Sequence, residues 1–176
     1  MVRMILVYGL IAGLIVGVPL SIIATTMHID GPLGMVVGYL LMLVALSMVF
    51  VAIKRRRDRD QGGVIRFWPA FGLGLGISFV AGVIYVAAWE ATVAATHMDF
   101  ATAYANGIIA QQKAQGVTGA ALDKVIAQME EFKLQYANPL YRLPMTFIEI
   151  FPVGVLVSLI SAALLRNSRF MPAKRV

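Results

Sequence analysis

The chain has no cysteine. That excludes disulfides, thiolate metal sites and a cysteine nucleophile. Charge is scarce: 14% of residues are Asp, Glu, Lys or Arg, against about 25% in ordinary soluble domains. No P-loop, HExxH, GxSxG or dinucleotide fingerprint is present. Ser21, Ser47, Ser78, Ser158 and Ser161 stand alone and read as packing groups or local back-bonds.

Apolar residues fill the space that charge leaves. They make up 60% of the 176 residues. Four runs reach spanning length: Met4–Met27, Leu33–Ile53, Phe67–Ala88 and Leu143–Leu165. A span needs about 20 apolar residues, so the expected fold is all-α, an integral membrane four-helix bundle. The expected spans are 4–27, 33–53, 67–90 and 140–165 of one membrane domain, 1–176. The first run follows Arg3 but is too long for a signal-peptide core and shows no small-x-small cleavage site, so it reads as an uncleaved anchor.

The net charge of +6 is unevenly placed. Lys54, Arg55, Arg56, Arg57, Arg59 and Arg66 crowd one loop, and Arg166, Arg169, Lys174 and Arg175 the tail, whereas residues 25–32 carry no Lys or Arg. The positive-inside rule then puts both termini and the 54–66 loop in the cytoplasm. A topology signal with contact to anionic lipid explains the basic loop better than nucleic acid does, so no nucleic-acid partner is expected.

Glycine recurs at every fourth position in places: Gly9, Gly13 and Gly17, then Gly34 and Gly38, then Gly72 and Gly76. Such grooves let helix backbones approach. The preferred reading is packing within one bundle, with self-association the alternative. Trp68 and Trp89 lie 21 residues apart, about 32 Å of helix. That matches the hydrocarbon thickness and sets both indoles, with Glu90 beside the second, at the interfaces.

Residues 91–138 are polar and alanine-rich. Phe100, Tyr104 and Ile108 form one apolar stripe, and Leu122, Val125, Met129, Phe132 and Tyr136 another. Residues 115–119 separate them as a turn, and Asn138-Pro139 leads into the last span. The expectation is an extracytoplasmic helical hairpin, its stripes packed on each other or on the bilayer. A short internal likeness links Tyr8-Gly9-Leu10 to Phe71-Gly72-Leu73, with His-x-Asp after each helix. Repeats of this kind occur in transporters.

Within PMTFIEIFP, residues 144–152, Glu149 is the main candidate functional residue. An ionisable group in a span costs on the order of 2–3 kcal/mol and needs polar company. Pro144 and Pro152 free the carbonyls of residues 140 and 148. A proton, a cation or a headgroup amine would suit such a set. The structural alternative pairs Arg142 with Glu149 or with Glu90, and it is preferred. His28, Asp30, His97 and Asp99 would suit zinc if they met; helix-end polarity is the simpler reading, so no metal or cofactor is expected. One carboxylate without a nucleophile or second acid is a poor active site, so no catalytic residue is assigned.

YGLIAGLIVG, IKRRRDRDQGG, AFGLGLG and above all MEEFKLQYANPLYRLPMTFIEIFPVG resemble the bacterial membrane family called domain of unknown function 4199. The resemblance covers nearly the whole chain. It implies a small bacterial inner-membrane protein and brings no activity or catalytic residue with it. The expected role is a non-enzymatic interaction or accessory protein, with lipid and a homo-oligomer or another membrane protein as partners. The alternative is a small homo-oligomeric transporter, channel or lipid-handling protein that uses Glu149.

Overall fold

The computed structural model describes residues 1–26 and 32–173. Among these the chain is all-helical, without strands. The helices are α1 (Val2–Thr26), α2 (Pro32–Arg55), α3 (Phe67–Thr96), α4 (Phe100–Ala114), α5 (Ala120–Tyr136) and α6 (Pro139–Arg166), with a wider π-turn, Arg56–Asp60, continuing α2. Four helices are long and apolar enough to cross a membrane: α1, α2 with its π-turn, α3 and α6. Two ends can be distinguished. One carries the N-terminus and the basic loop; the other carries the α4–α5 hairpin.

The glycine ladder of α1 is consumed within the chain. A Cβ on Gly9 would fall 2.5 Å from the Cβ of Val80, one on Gly13 2.5 Å from that of Ile84, and one on Gly17 2.8 Å from that of Ala88. The partners advance in step, so α1 and α3 run parallel with a constant offset. For α1, packing within the chain, the preferred reading of this spacing, is what the helix does; on α3, Gly76 meets Ile5 but Gly72 meets nothing within 4 Å.

Helices α3 and α6 run antiparallel. Gly74 faces Ser158, and Gly154 faces Ser78, each at distances that admit no side chain. The two serine hydroxyls lie 3.3 Å apart at this crossing, and Ser158 also donates to the Gly154 carbonyl at 2.6 Å. The serines are therefore packing and back-bonding groups. Leu46, Val49, Ile53, Leu73, Ile77, Ile150 and Leu165 fill the core between α2, α3 and α6.

Helix α3 continues beyond residue 90, the limit of the expected third span. Ala91-Thr92-Val93-Ala94-Ala95 contains no breaker, so the helix continues to Thr96, where His97 terminates it in the left-handed region at φ 51°. The hairpin helices therefore begin at Phe100. Asp99 caps α4 by accepting from the Thr102 N–H, 3.0 Å. Asn138 caps α6 by accepting from Leu140, with Pro139 in its first turn. In the hairpin the two stripes meet through aromatic rings: Tyr104 on Phe132 at 5.4 Å and Phe100 on Tyr136 at 5.5 Å between centroids.

At the basic end Arg57 departs from expectation. It is fully buried. Its guanidinium donates to Asp58, to the carbonyl of Phe170 at 2.9 Å and to that of Met171 at 2.5 Å. It thus ties the π-turn to the chain after α6 and is not a solvated or lipid-facing charge. Gly62 and Gly63, at φ 61° and 90°, then turn the chain toward α3, a conformation that side chains resist.

Candidate functional site at the hairpin end

The antiparallel register of α3 and α6 brings Glu90 to Arg142. Nε donates to Oε1 at 2.6 Å and Nη2 to Oε2 at 2.5 Å, a bidentate pair with side chains 26% and 14% exposed. Two parallel charge-assisted bonds make this the strongest kind of side-chain pairing. Of the two partners offered for Arg142 by the sequence, Glu90 is the one it takes. The pairing with Glu149 does not form.

Tyr136 closes the same cluster from α5. Trp89 Nε1 donates to its hydroxyl at 2.8 Å, the Arg142 guanidinium lies 5.6 Å over its ring, and Arg142 Nη1 reaches its carbonyl at 3.4 Å. Burial pushes the Tyr136 phenol up from its ordinary value, against the pull of the Trp89 hydrogen bond. Trp89 is also edge-on to Phe100 at 5.1 Å. One ion pair and one indole thus join α3, α5 and α6. A cleft of about 420 Å³ opens beside them, lined by Asp99, Phe100, Lys133, Leu134 and Arg142 among others.

Glu149 sits apart. Its Oε2 accepts from the hydroxyl of Tyr85 at 3.0 Å, the one side-chain hydrogen bond it makes among the described residues. Tyr85 is 6% exposed, whereas Glu149 is exposed on the surface of the chain. The neighbouring polar group, Thr146, turns away and donates to the Arg142 carbonyl at 3.0 Å.

His28 and Asp30 lie outside the described residues. His97 ends α3 and Asp99 caps α4, both exposed. Hydrogen bonds from Thr102, through its hydroxyl and then its backbone N–H, hold the Asp99 carboxyl below its ordinary value. Among the described residues no group of three acidic, histidine or cysteine side chains is placed to hold a metal.

Sequence reasoning missed Tyr85, Tyr136 and Arg57. A signal existed for each. Pairing Glu90 with Arg142 in antiparallel helices puts Tyr85 level with residues near 147, within reach of Glu149. Tyr136 closes the 3–4 stripe of α5. Arg57 continues the buried series Met42, Leu46, Val49 and Ile53 at helical spacing.

The fold and this cluster define an all-helical protein with four membrane-length helices, latched by an ion pair at the hairpin end. The chain belongs to the family described as "Protein of unknown function (DUF4199)", whose model matches residues 7–167. No curated protein and no solved structure gives a significant match.

Proposed function

We propose that this is an integral protein of the bacterial inner membrane and that it acts as a non-enzymatic interaction or accessory protein. In this reading α1, α2, α3 and α6 form a four-helix bundle with both termini cytoplasmic, and the α4–α5 hairpin is extracytoplasmic. The charge asymmetry supports that orientation: the basic loop and the start of the tail, through Arg169, share one end, and in the sequence residues 25–32 carry no Lys or Arg.

The observation that carries the role is how the polar side chains are used. Glu90 and Arg142 satisfy each other, and Ser78 meets Ser158. Thr92 meets Ser21 at 2.7 Å. These groups hold the helices together. Of the two candidate glutamates, Glu90 and Glu149, Glu149 is the one exposed at the chain surface, where a partner can use it. The test is native mass spectrometry of the protein released gently from its own membrane. A stoichiometric complex, with another protein or with further copies that hold no defined lipid or ion, is expected. A lone monomer would overturn the reading.

The second reading is lipid handling or transport. The cleft beside Trp89 favours it, since it sets Lys133 and Arg142 beside apolar Phe100 and Leu134, a mix that suits a headgroup with the start of its chains. Reconstituted vesicles would decide between the two. Ion flux or lipid exchange that disappears in Glu149→Gln would replace the accessory role with this one.

A further inference from the structure

Glu149 follows Arg142 by seven residues, about 10 Å along the helix. Its carboxylate does not reach up to the level of the Glu90–Arg142 pair. It turns sideways to Tyr85, at 3.0 Å. The residue remains exposed, and so do Tyr141, Met145, Ile148, Pro152 and Leu156. These recur at spacings of four, three, four and four, one continuous stripe along α6. The other face of α6, with Thr146, Ile150, Gly154 and Ser158, is buried in the chain. Pro152 has no N–H, so the carbonyl of Ile148, on the same stripe, cannot receive its usual helical bond. A carboxylate and a freed carbonyl therefore share an uncovered apolar face. In a bilayer, ionisable side chains face protein or water and pair with other polar groups.

We propose that the Glu149 face of α6 is a twofold interface with a second copy of this chain, in which the two Glu149 carboxyl groups meet and share a proton. The proposal rests on the membrane placement given above. Depth selects the occupant. An unrelated helix needs a polar group at a matching height. A second copy inserted in the same orientation carries its own Glu149 at that height. A twofold axis along the membrane normal keeps the heights equal and brings identical patches together. One carboxyl O–H donates to the other carboxylate, while each Tyr85 hydroxyl continues to donate to its own Glu149. The nearest charged groups along the packed helices, Glu90 on α3 and Arg142 on α6, are joined to each other and leave the pair to itself.

The absence of cysteine makes cross-linking direct. Ile148→Cys and Leu156→Cys place thiols on the stripe; Leu40→Cys, on α2 and 56% exposed, is the control. Oxidation of the full chain in its membrane is expected to give disulfide-linked dimers from the first two and not from the control. In the Ile148→Cys background, Glu149→Leu should lower the association constant roughly 3- to 20-fold, the range that hydrogen bonds between spans support. Glu149→Gln, which still donates and accepts, should retain dimers, and it keeps the test valid if the leucine variant folds poorly. Absence of dimers from both stripe positions, equal dimers from the control, an Ile148→Cys product joined to a different polypeptide, or an unchanged constant in a folded Glu149→Leu would each overturn the proposal. Alkaline extraction separates the two levels. A chain that leaves the membrane overturns the placement itself; one that stays but does not cross-link overturns this interface alone.

Discussion

Breaking the Glu90–Arg142 pair should destabilise the protein, and the size follows from its surroundings. Ion pairs in free solvent contribute about 0–1 kcal/mol, and breaking a fully buried one costs about 3–5 kcal/mol. With side chains 26% and 14% exposed, this pair falls between. Arg142→Ala also removes the cation over Tyr136 and leaves Glu90 without its partner, so a loss of about 2–4 kcal/mol is expected. Glu90→Gln keeps the shape but not the charge, and about 1–2 kcal/mol is expected. The double mutant should fall short of the sum by about 1–2 kcal/mol, because the second change removes an interaction already lost. Reversible unfolding in mixed micelles, followed by tryptophan fluorescence, measures all four species. Trp89, bonded to Tyr136, reports on the cluster directly. The Arg142/Glu149 cycle is the internal control. Glu149 bonds Tyr85 instead, so its effects should add to those of Arg142 within about 0.5 kcal/mol. A coupling below about 0.5 kcal/mol for Arg142 with Glu90, or a larger one with Glu149, would refute the assignment of partners.

Other consequences are equally open to measurement. Gly13→Ala sets a methyl 2.5 Å from Ile84 Cβ and should cost about 1–3 kcal/mol in the same unfolding assay. Gly72→Ala meets nothing within 4 Å and should be neutral or stabilising by up to about 1 kcal/mol. Arg57→Ala should free the chain that follows α6, because the carbonyls of Phe170 and Met171 lose their donors; protease cleavage between residues 167 and 173 should become faster than in the parent. The depressed Asp99 carboxyl stabilises α4 above its unfolded value, and that contribution disappears as pH falls through the folded value. Faster exchange of the Thr102 amide, relative to the rest of α4, should therefore appear only on acidification below the ordinary aspartate range. Asp99→Asn, which caps without titrating, should abolish the pH dependence.

The four long helices were legible because their cause is local. About 20 apolar residues in a row have one stable use, and α1, α2 and α6 begin and end within a few residues of the expected limits. Helices α4 and α5 were legible for a related reason: their stripes repeat at helical spacing, and Gln115–Gly119 separates them. The tryptophan spacing gave an expected span of 67–90, whereas the helix itself runs further. Nothing in residues 91–96 stops the backbone before His97 turns to φ 51°.

Composition and periodicity by themselves determined the helix count, the uneven charge, and Glu90, Arg142 and Glu149 as the polar residues to watch. Only tertiary structure decided how those residues are used. The pairing of Arg142 with Glu90, the bond from Tyr85 to Glu149 and the burial of Arg57 depend on the register between helices far apart in the chain. That register is set where glycine and serine let backbones close, at Gly13 on Ile84 and Gly74 on Ser158. A one-dimensional pattern shows that a helix has a polar residue and a small-residue groove. It does not show which neighbour enters the groove, and the neighbour's offset selects which charge meets which.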